Sequence, residues 1–168
     1  MSNSLELNKV FAAILTAGIT FGVAGVVGRL IVHPKPAPAQ AVAAVAAPAL
    51  EPILPLLAAA NAQNGQQLAQ RQCASCHSFN EGGRNAVGPN LYGIVGSKHA
   101  HSEGFNYSAA IRGMASKPWT YEELNAWIAN PRAYAPGNKM TYAGMASVQS
   151  RADLIAYLRS ISPNAPAP

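Results

Sequence analysis

From Val10 to Gly28 the chain carries no charged residue, and after Arg29 the apolar run resumes through Leu30-Ile31-Val32. About 20 such residues, at 1.5 Å each, cross the hydrocarbon core of a bilayer, whereas the apolar part of a cleaved leader is typically about 7 to 15 residues long. The pattern therefore predicts an uncleaved transmembrane anchor over residues 10–32, behind a short tail of residues 1–9. Ala-x-Ala sequences at Ala37-Pro38-Ala39 and Ala39-Gln40-Ala41 lie well beyond the run, and such patterns are cheap in an alanine-rich stretch. Gly18, Gly22, Gly25 and Gly28 recur at three- and four-residue intervals, a small-residue stripe of the kind that lets membrane helices approach one another. Residues 33–62 are dominated by alanine and proline. Prolines at 34, 36, 38, 48, 52 and 55 forbid one continuous helix, so this stretch reads as a linker, reaching about 75 to 85 Å if fully extended. The more apolar piece from Leu50 to Leu57 has a second option, docking on the head or on a membrane surface.

From residue 63 to 168 the pattern changes to short amphipathic helices separated by glycine-rich loops. The first helix runs from about Asn64 into a pair of cysteines. A second is capped by Thr120, with Glu122 and Glu123 in its first turn against the helix dipole, and Asn130-Pro131 ends it. A third runs from about Val148 to Ile161, with Leu154, Ile155 and Leu158 on one apolar face. Gly82-Gly83 and the stretch from Gly93 to Gly104 read as loops, and no strand pairing is evident. The expected fold class is an all-α, loop-rich head plus one N-terminal transmembrane helix.

The chemistry is concentrated in Cys73-Ala74-Ser75-Cys76-His77. C-x-x-C-H is the attachment site of a c-type haem: two thiols reach the two vinyl groups of one porphyrin, and the next imidazole becomes a ligand of the iron. A dithiol redox site needs no histidine in that position. A zinc site needs four ligands at set spacings. The chain has no third cysteine, and its other histidines are His33, His99 and His101, the last two only one residue apart. Haem is the reading that uses every residue of the motif.

A second axial ligand would close the iron for electron transfer, and methionine sulfur favours the reduced state. Met140 follows Pro136-Gly137-Asn138-Lys139 in a stretch with neither helical nor strand period, where a loop can bring a thioether to the far side of a porphyrin. Met145 lies in the same region and stays open on these grounds, while Met114 fits a gap-filling role.

Residues from about Asn64 to Ser162 resemble the class I cytochromes c of the mitochondrial and alpha-proteobacterial type. The matching blocks stand in order: Cys73 to His77, Gly88-Pro89-Asn90-Leu91-Tyr92-Gly93, Gly104-Phe105-Asn106-Tyr107, Trp119, Asn130 through Met140, and Asp153-Leu154-Ile155-Ala156-Tyr157-Leu158. The resemblance implies one covalent haem c with His77 and Met140 as axial ligands. It implies that the Pro89 carbonyl accepts the Nδ1 proton of His77 and that Tyr107 and Trp119 hydrogen-bond a haem propionate. Tyr142 would lie over the haem face beside the methionine. Two positions depart from the family. Ala69 stands where an aromatic residue is usual in the first helix, although Gly65 still permits close approach to Tyr157. Ile111 stands where mitochondrial members often carry asparagine.

The net charge is +5, and from residue 62 nine Lys/Arg face five Asp/Glu, or +4. Such a balance steers docking to an acidic partner surface, with Lys98, Lys117 and Lys139 the residues to test. The basic residues are scattered without an aromatic-interleaved stripe, which excludes a nucleic-acid reading. Charge flanking the apolar run, Lys9 before it and Arg29 and Lys35 after it, weakly places the C-terminal side in the cytoplasm. The haem motif outweighs this one-charge difference, because bacterial c-type haem is attached outside the cytoplasmic membrane. The expectation is a single-pass inner-membrane protein with a periplasmic head. It is an electron carrier and not an enzyme, moving single electrons from a bc-type quinol-oxidising complex to a terminal haem-copper oxidase or a photosynthetic reaction centre. A fixed haem subunit of a larger complex, a diffusible carrier after signal cleavage, and a haem peroxidase with an open iron position are the alternatives.

Overall fold

The computed structural model describes residues 3–31 and 50–168, and the chain divides into two compact units, Met1–Ala47 and Pro48–Pro168. In the first, a single helix α1 (Asn3–Ile31) takes in most of the tail expected at residues 1–9 and runs through the apolar stretch. Leu5, Phe11, Ile14, Leu15, Ile19, Val23 and Val26 on it stand more than half exposed, and a Cβ added at Gly22, Gly25 or Gly28 would meet open space. Among the described residues no helix is long and apolar enough to cross a membrane. Part of the expected anchor, and linker residues 33–49, lie outside the described residues.

The second unit is helical, and among the described residues its only bridge-type pairing is the isolated contact between Lys98 and Pro118. Its helices are α2 (Leu54–Leu57), α3 (Ala62–Gln72), α4 (Ala109–Arg112), α5 (Tyr121–Ala129), α6 (Pro131–Tyr134) and α7 (Val148–Ser160). Caps explain most of the starts. The Asn61 side chain accepts from the amides of Gln63 and Asn64, Thr120 from Glu123, Asn130 from Ala133, and Ser147 from Ser150, each satisfying a donor the helix cannot. Asn130 ends α5 and at once caps α6, because Pro131 is suited to a first helical position but not to an interior one.

Helices α3 and α7 make the closest crossing. A Cβ on Gly65 would sit 1.9 Å from the Asp153 carbonyl oxygen and 2.9 Å from Tyr157 Cβ, so only glycine allows the two backbones to meet here. Ala69 is fully buried beside this crossing. The aromatic contact absent at that position comes from a loop instead: the Phe79 ring packs on Tyr157, centroids 5.8 Å apart. The core gathers Leu68, Ile94, Val95, Leu124, Leu154, Ile155 and Leu158.

Residues 50–61, assigned to the linker by composition, are packed against the head. Ile53 is fully buried in the core cluster, and the amides of Ile53 and Leu54 donate to Glu122 Oε1 at 3.0 and 3.4 Å. Asn125 Nδ2 donates to the Glu51 carbonyl at 2.9 Å, and the Asn61 amide to Asp153 Oδ1 at 2.9 Å. Proline does limit helix here to the single turn of α2, but one isoleucine and a set of polar side chains on α5 and α7 fix the segment. Asn125 also accepts from Arg151 Nε at 2.7 Å, and Arg151 Nη1 donates to the carbonyls of Met145 and Ala146 at 2.8 and 2.7 Å. A buried guanidinium thus joins residues 50–61, a strap across the head, to α5, α7 and the loop that follows Met140.

Candidate haem-binding site

The cysteine motif is the continuation of α3. The amide of Cys73 donates to Ala69, and those of Cys76 and His77 both donate to the Cys73 carbonyl at 3.0 Å, so one further turn carries the sequence from Cys73 to His77. Both thiols are free and half-buried. Burial, then the neighbouring Cys76, pushes the Cys73 thiol up to about 11. Among the described residues no group of three or more His, Cys, Asp or Glu side chains gathers to hold a metal ion.

His77 is oriented from outside its own turn. Its Nδ1 lies 2.7 Å from the Pro89 carbonyl oxygen. A carbonyl only accepts, so Nδ1 carries the proton and the lone pair is on Nε2, the tautomer a metal requires. Burial lowers the pKa of the ring, partly offset by the Pro89 carbonyl, which keeps it neutral and able to ligate. Gly88 makes the approach possible, since a Cβ there would lie 2.3 Å from His77 Cε1. The amide of Gly88 donates to the Cys76 carbonyl at 2.8 Å, tying this loop to the motif.

Met140 is presented by a loop organised around one side chain. Asn138 accepts from the Met140 amide at 2.8 Å, while its own amide nitrogen donates to the carbonyls of Pro131 and Ala135, each at 2.8 Å. Gly137, with φ of 83°, lets the chain turn left-handed just before it. Lys139 donates to the Asn106 carbonyl at 2.9 Å, tying this loop to the segment that holds Tyr107. Met145 is buried in the core with its amide on the Ile128 carbonyl, the environment of a packing residue.

The remaining expected residues are each held by a hydrogen bond or a ring contact. The Tyr142 hydroxyl donates to Gln72 Oε1 at 2.6 Å, beside Cys73. The Tyr107 oxygen accepts from the Ser102 amide at 3.2 Å, which leaves its proton for another acceptor, and burial keeps that proton on. Trp119 is buried, its amide on Ser97 and its carbonyl on Gly96, with the indole stacked on His99 at 3.6 Å between centroids. Ile111, where asparagine is often found, is buried within α4. Sequence reasoning gave no role to Asn138 and Asn90. Asn90 holds the loop before Leu91 through its side-chain bonds to Asn80, Gly83 and Tyr92. The only hint was their place beside motif residues.

Residues 62–162 match the cytochrome c family. The chain belongs to that family. It is 48% identical over 95 residues to a cytochrome c homolog of Bradyrhizobium diazoefficiens, a match covering 56% of this chain and 51% of that protein. It is 49% identical over 81 residues to cytochrome c of Trypanosoma brucei brucei, covering 48% of this chain and 86% of the relative. With cytochrome c-550 of Ancylobacter novellus the identity is 43% over 93 residues, 54% of this chain and 87% of the other. The chain spans only about half the length of the first of these relatives. The family carries covalently attached haem c, and Cys73 and Cys76 are the only two cysteines in this sequence. Residues 62–162 are the cytochrome c part of this chain.

The residues of this turn fit that group: two adjoining half-buried thiols, and a His77 ring held between Gly88 and the Pro89 carbonyl with Nε2 unprotonated. The haem supplies an iron that cycles between two oxidation states. Cys73, Cys76, His77 and Met140 are the residues that would hold it.

Proposed function

We propose that this chain is a membrane-tethered mono-haem cytochrome c that passes single electrons from a bc-type quinol-oxidising complex to a terminal haem-copper oxidase or a photosynthetic reaction centre. Cys73 and Cys76 hold the porphyrin, and His77 and Met140 ligate its iron. Pro89 fixes the His77 ring, Tyr107 and Trp119 donate to a propionate, and Tyr142 covers the haem face. The observation that carries this reading is the His77 ring, locked by Pro89 with Nε2 left free at the end of a turn bearing two thiols. With both His77 and Met140 holding the iron, little would rearrange when an electron moves, and no position would be left open for peroxidase chemistry.

The tether is the charge-free run Val10–Gly28 within α1, about 28 Å long at 1.5 Å per residue. Apolar side chains exposed around most of its girth are stable in lipid or against another helix and costly in water. The head is periplasmic, on the side where c-type haem is attached. A tether confines the head near its partners and raises their effective concentration without new contacts.

Haem-stained electrophoresis of membrane and periplasmic fractions tests the proposal, because a thioether-bound haem survives denaturation. A full-length stained band in membranes, whose visible spectrum is that of a low-spin His/Met haem, is the expected result. A shorter soluble band overturns the tether and leaves a diffusible carrier. A stained band found only in stoichiometric complex with a larger oxidoreductase replaces the shuttle with a fixed subunit.

A further inference from the structure

His99 is 1% exposed, and no role in the reading above uses it. Its Nδ1 is 2.9 Å from the Lys117 carbonyl oxygen and its Nε2 is 2.7 Å from the Tyr134 hydroxyl. That hydroxyl also bonds Glu123 Oε2. Three hydrogen bonds therefore run in series from a carbonyl through an imidazole and a phenol to a carboxylate. Each needs one proton. The carbonyl supplies none, so Nδ1 must donate to it. A neutral imidazole, a phenol and a carboxylate together hold two protons, one fewer than the bonds require. With Nδ1–H committed to Lys117, the single Tyr134 proton faces two acceptors, Nε2 and Glu123. A third proton, placed on Nε2, lets His99 donate to Tyr134 and Tyr134 donate to Glu123, and every bond is made.

The chain sits against the residue expected to hold a propionate, for the His99 ring lies flat on Trp119, 3.6 Å between centroids and 21° between planes. The Tyr134 ring lies beside both, 5.8 Å from Trp119 and 6.0 Å from His99 between centroids. We propose that His99, Tyr134 and Glu123 form a proton-binding chain that takes up one proton when the haem beside Trp119 is reduced. This rests on the carrier reading above. One electron from the protein's redox donor converts ferric to ferrous iron, and one proton from water forms the N–H bond at His99 Nε2. Reduction removes a positive charge from the crevice, so the chain binds its proton more tightly in the ferrous protein.

The groups facing His99 set where this occurs. They are Lys117, whose ammonium is 3.9 Å from Glu123 Oε1, Glu123 on α5, Tyr134 on α6 and His101 on its own loop. Burial lowers the His99 pKa below its usual 6.5, opposed by the Lys117 carbonyl and the Glu123 carboxylate. Burial and Glu123 raise that of Tyr134, so the phenol keeps its proton throughout. The uptake thus falls on the acid side of 6.5, and the midpoint potential declines as pH rises through that window.

The test is spectroelectrochemical titration of the full-length haem protein between about pH 5 and 8, with His99 ring nitrogens followed by NMR in both oxidation states. A threefold higher proton affinity in the ferrous state lowers the potential by about 28 mV across the window, at 59 mV per tenfold for one electron. Tyr134→Phe and Glu123→Gln shift that decline to lower pH and bring the two His99 titrations together. A normal His/Met spectrum with a flat potential, or a slope unchanged in both variants, overturns this inference alone. A His99 ring neutral down to pH 5 in both states does the same without any variant. A preparation that attaches no haem sinks the carrier reading and this inference with it.

Discussion

Replacing Gly88 by alanine tests how the proximal ligand is held. Gly88 is not among the positive-φ glycines, so its backbone accepts a side chain and the cost is purely steric. The new Cβ would stand 2.3, 2.7 and 2.8 Å from Cε1, Nδ1 and Nε2 of His77, where ordinary contact begins near 3.4 Å. The ring must retreat by roughly an ångström, the difference between those contacts. That takes Nδ1 from 2.7 Å to beyond hydrogen-bond reach of Pro89. Overpacking costs about 1–3 kcal/mol and the lost bond about 0.5–1.5 more, together on the order of 2–4 kcal/mol. In a domain of this size each kcal/mol moves Tm by about 4–8 °C, so Gly88→Ala melts on the order of 10–25 °C lower. Thermal unfolding followed by circular dichroism of the haem-loaded protein gives the first number. The low-spin spectrum and the midpoint potential report the ligand itself. An alanine variant with unchanged melting temperature and potential would refute the idea that Gly88 and Pro89 together set the His77 ring.

Asn138→Ala removes the acceptor of the Met140 amide and the donor to two carbonyls, at a cost of about 1–3 kcal/mol for groups left without partners. On heating, the Met-ligated ferric spectrum is lost well below global unfolding; coincident transitions would count against the loop's dependence on Asn138. At Asp153 burial raises the pKa, but hydrogen bonds from Asn61, Asn64 and Gln149 outweigh it and hold the carboxylate below its usual 3.8. A depressed pKa stabilises the fold above 3.8 and loses that contribution as pH falls through the lower folded value. Asp153→Asn is therefore less stable than wild type at neutral pH and shows a shallower loss in acid, measured by denaturant unfolding from about pH 7 to 3.

What could be read in advance was what lies close together in the chain. Cys73 to His77 is one turn, its chemistry complete within five residues, and the Thr120 cap needs only Glu123, three residues on. The Pro89 contact came from family resemblance, and the structure places that carbonyl on His77. The strap was illegible for the opposite reason. Its partners are 68 to 92 residues away, and an alanine- and proline-rich composition says nothing of a single isoleucine that finds a core. The Phe79–Tyr157 contact was hidden because the aromatic ring comes from a loop and not from the helix where one is usual. Asn138 and His99 act through backbone carbonyls, and carbonyls leave no mark on a sequence. The loss of periodicity near Met140 was visible, but not the side chain that replaces periodicity as the source of order.

The strap has a mechanical consequence. Any pull arriving along the chain from its N-terminal side meets Ile53 in its socket and the Glu122 clasp before it reaches Ala62, where α3 begins. Those fastenings are on α5 and the core, and a load shared there passes into the body of the domain. Helix α3, whose next turn ends at His77, is spared the tension. The cable is clamped at the housing, so tugging on it leaves the contact inside undisturbed.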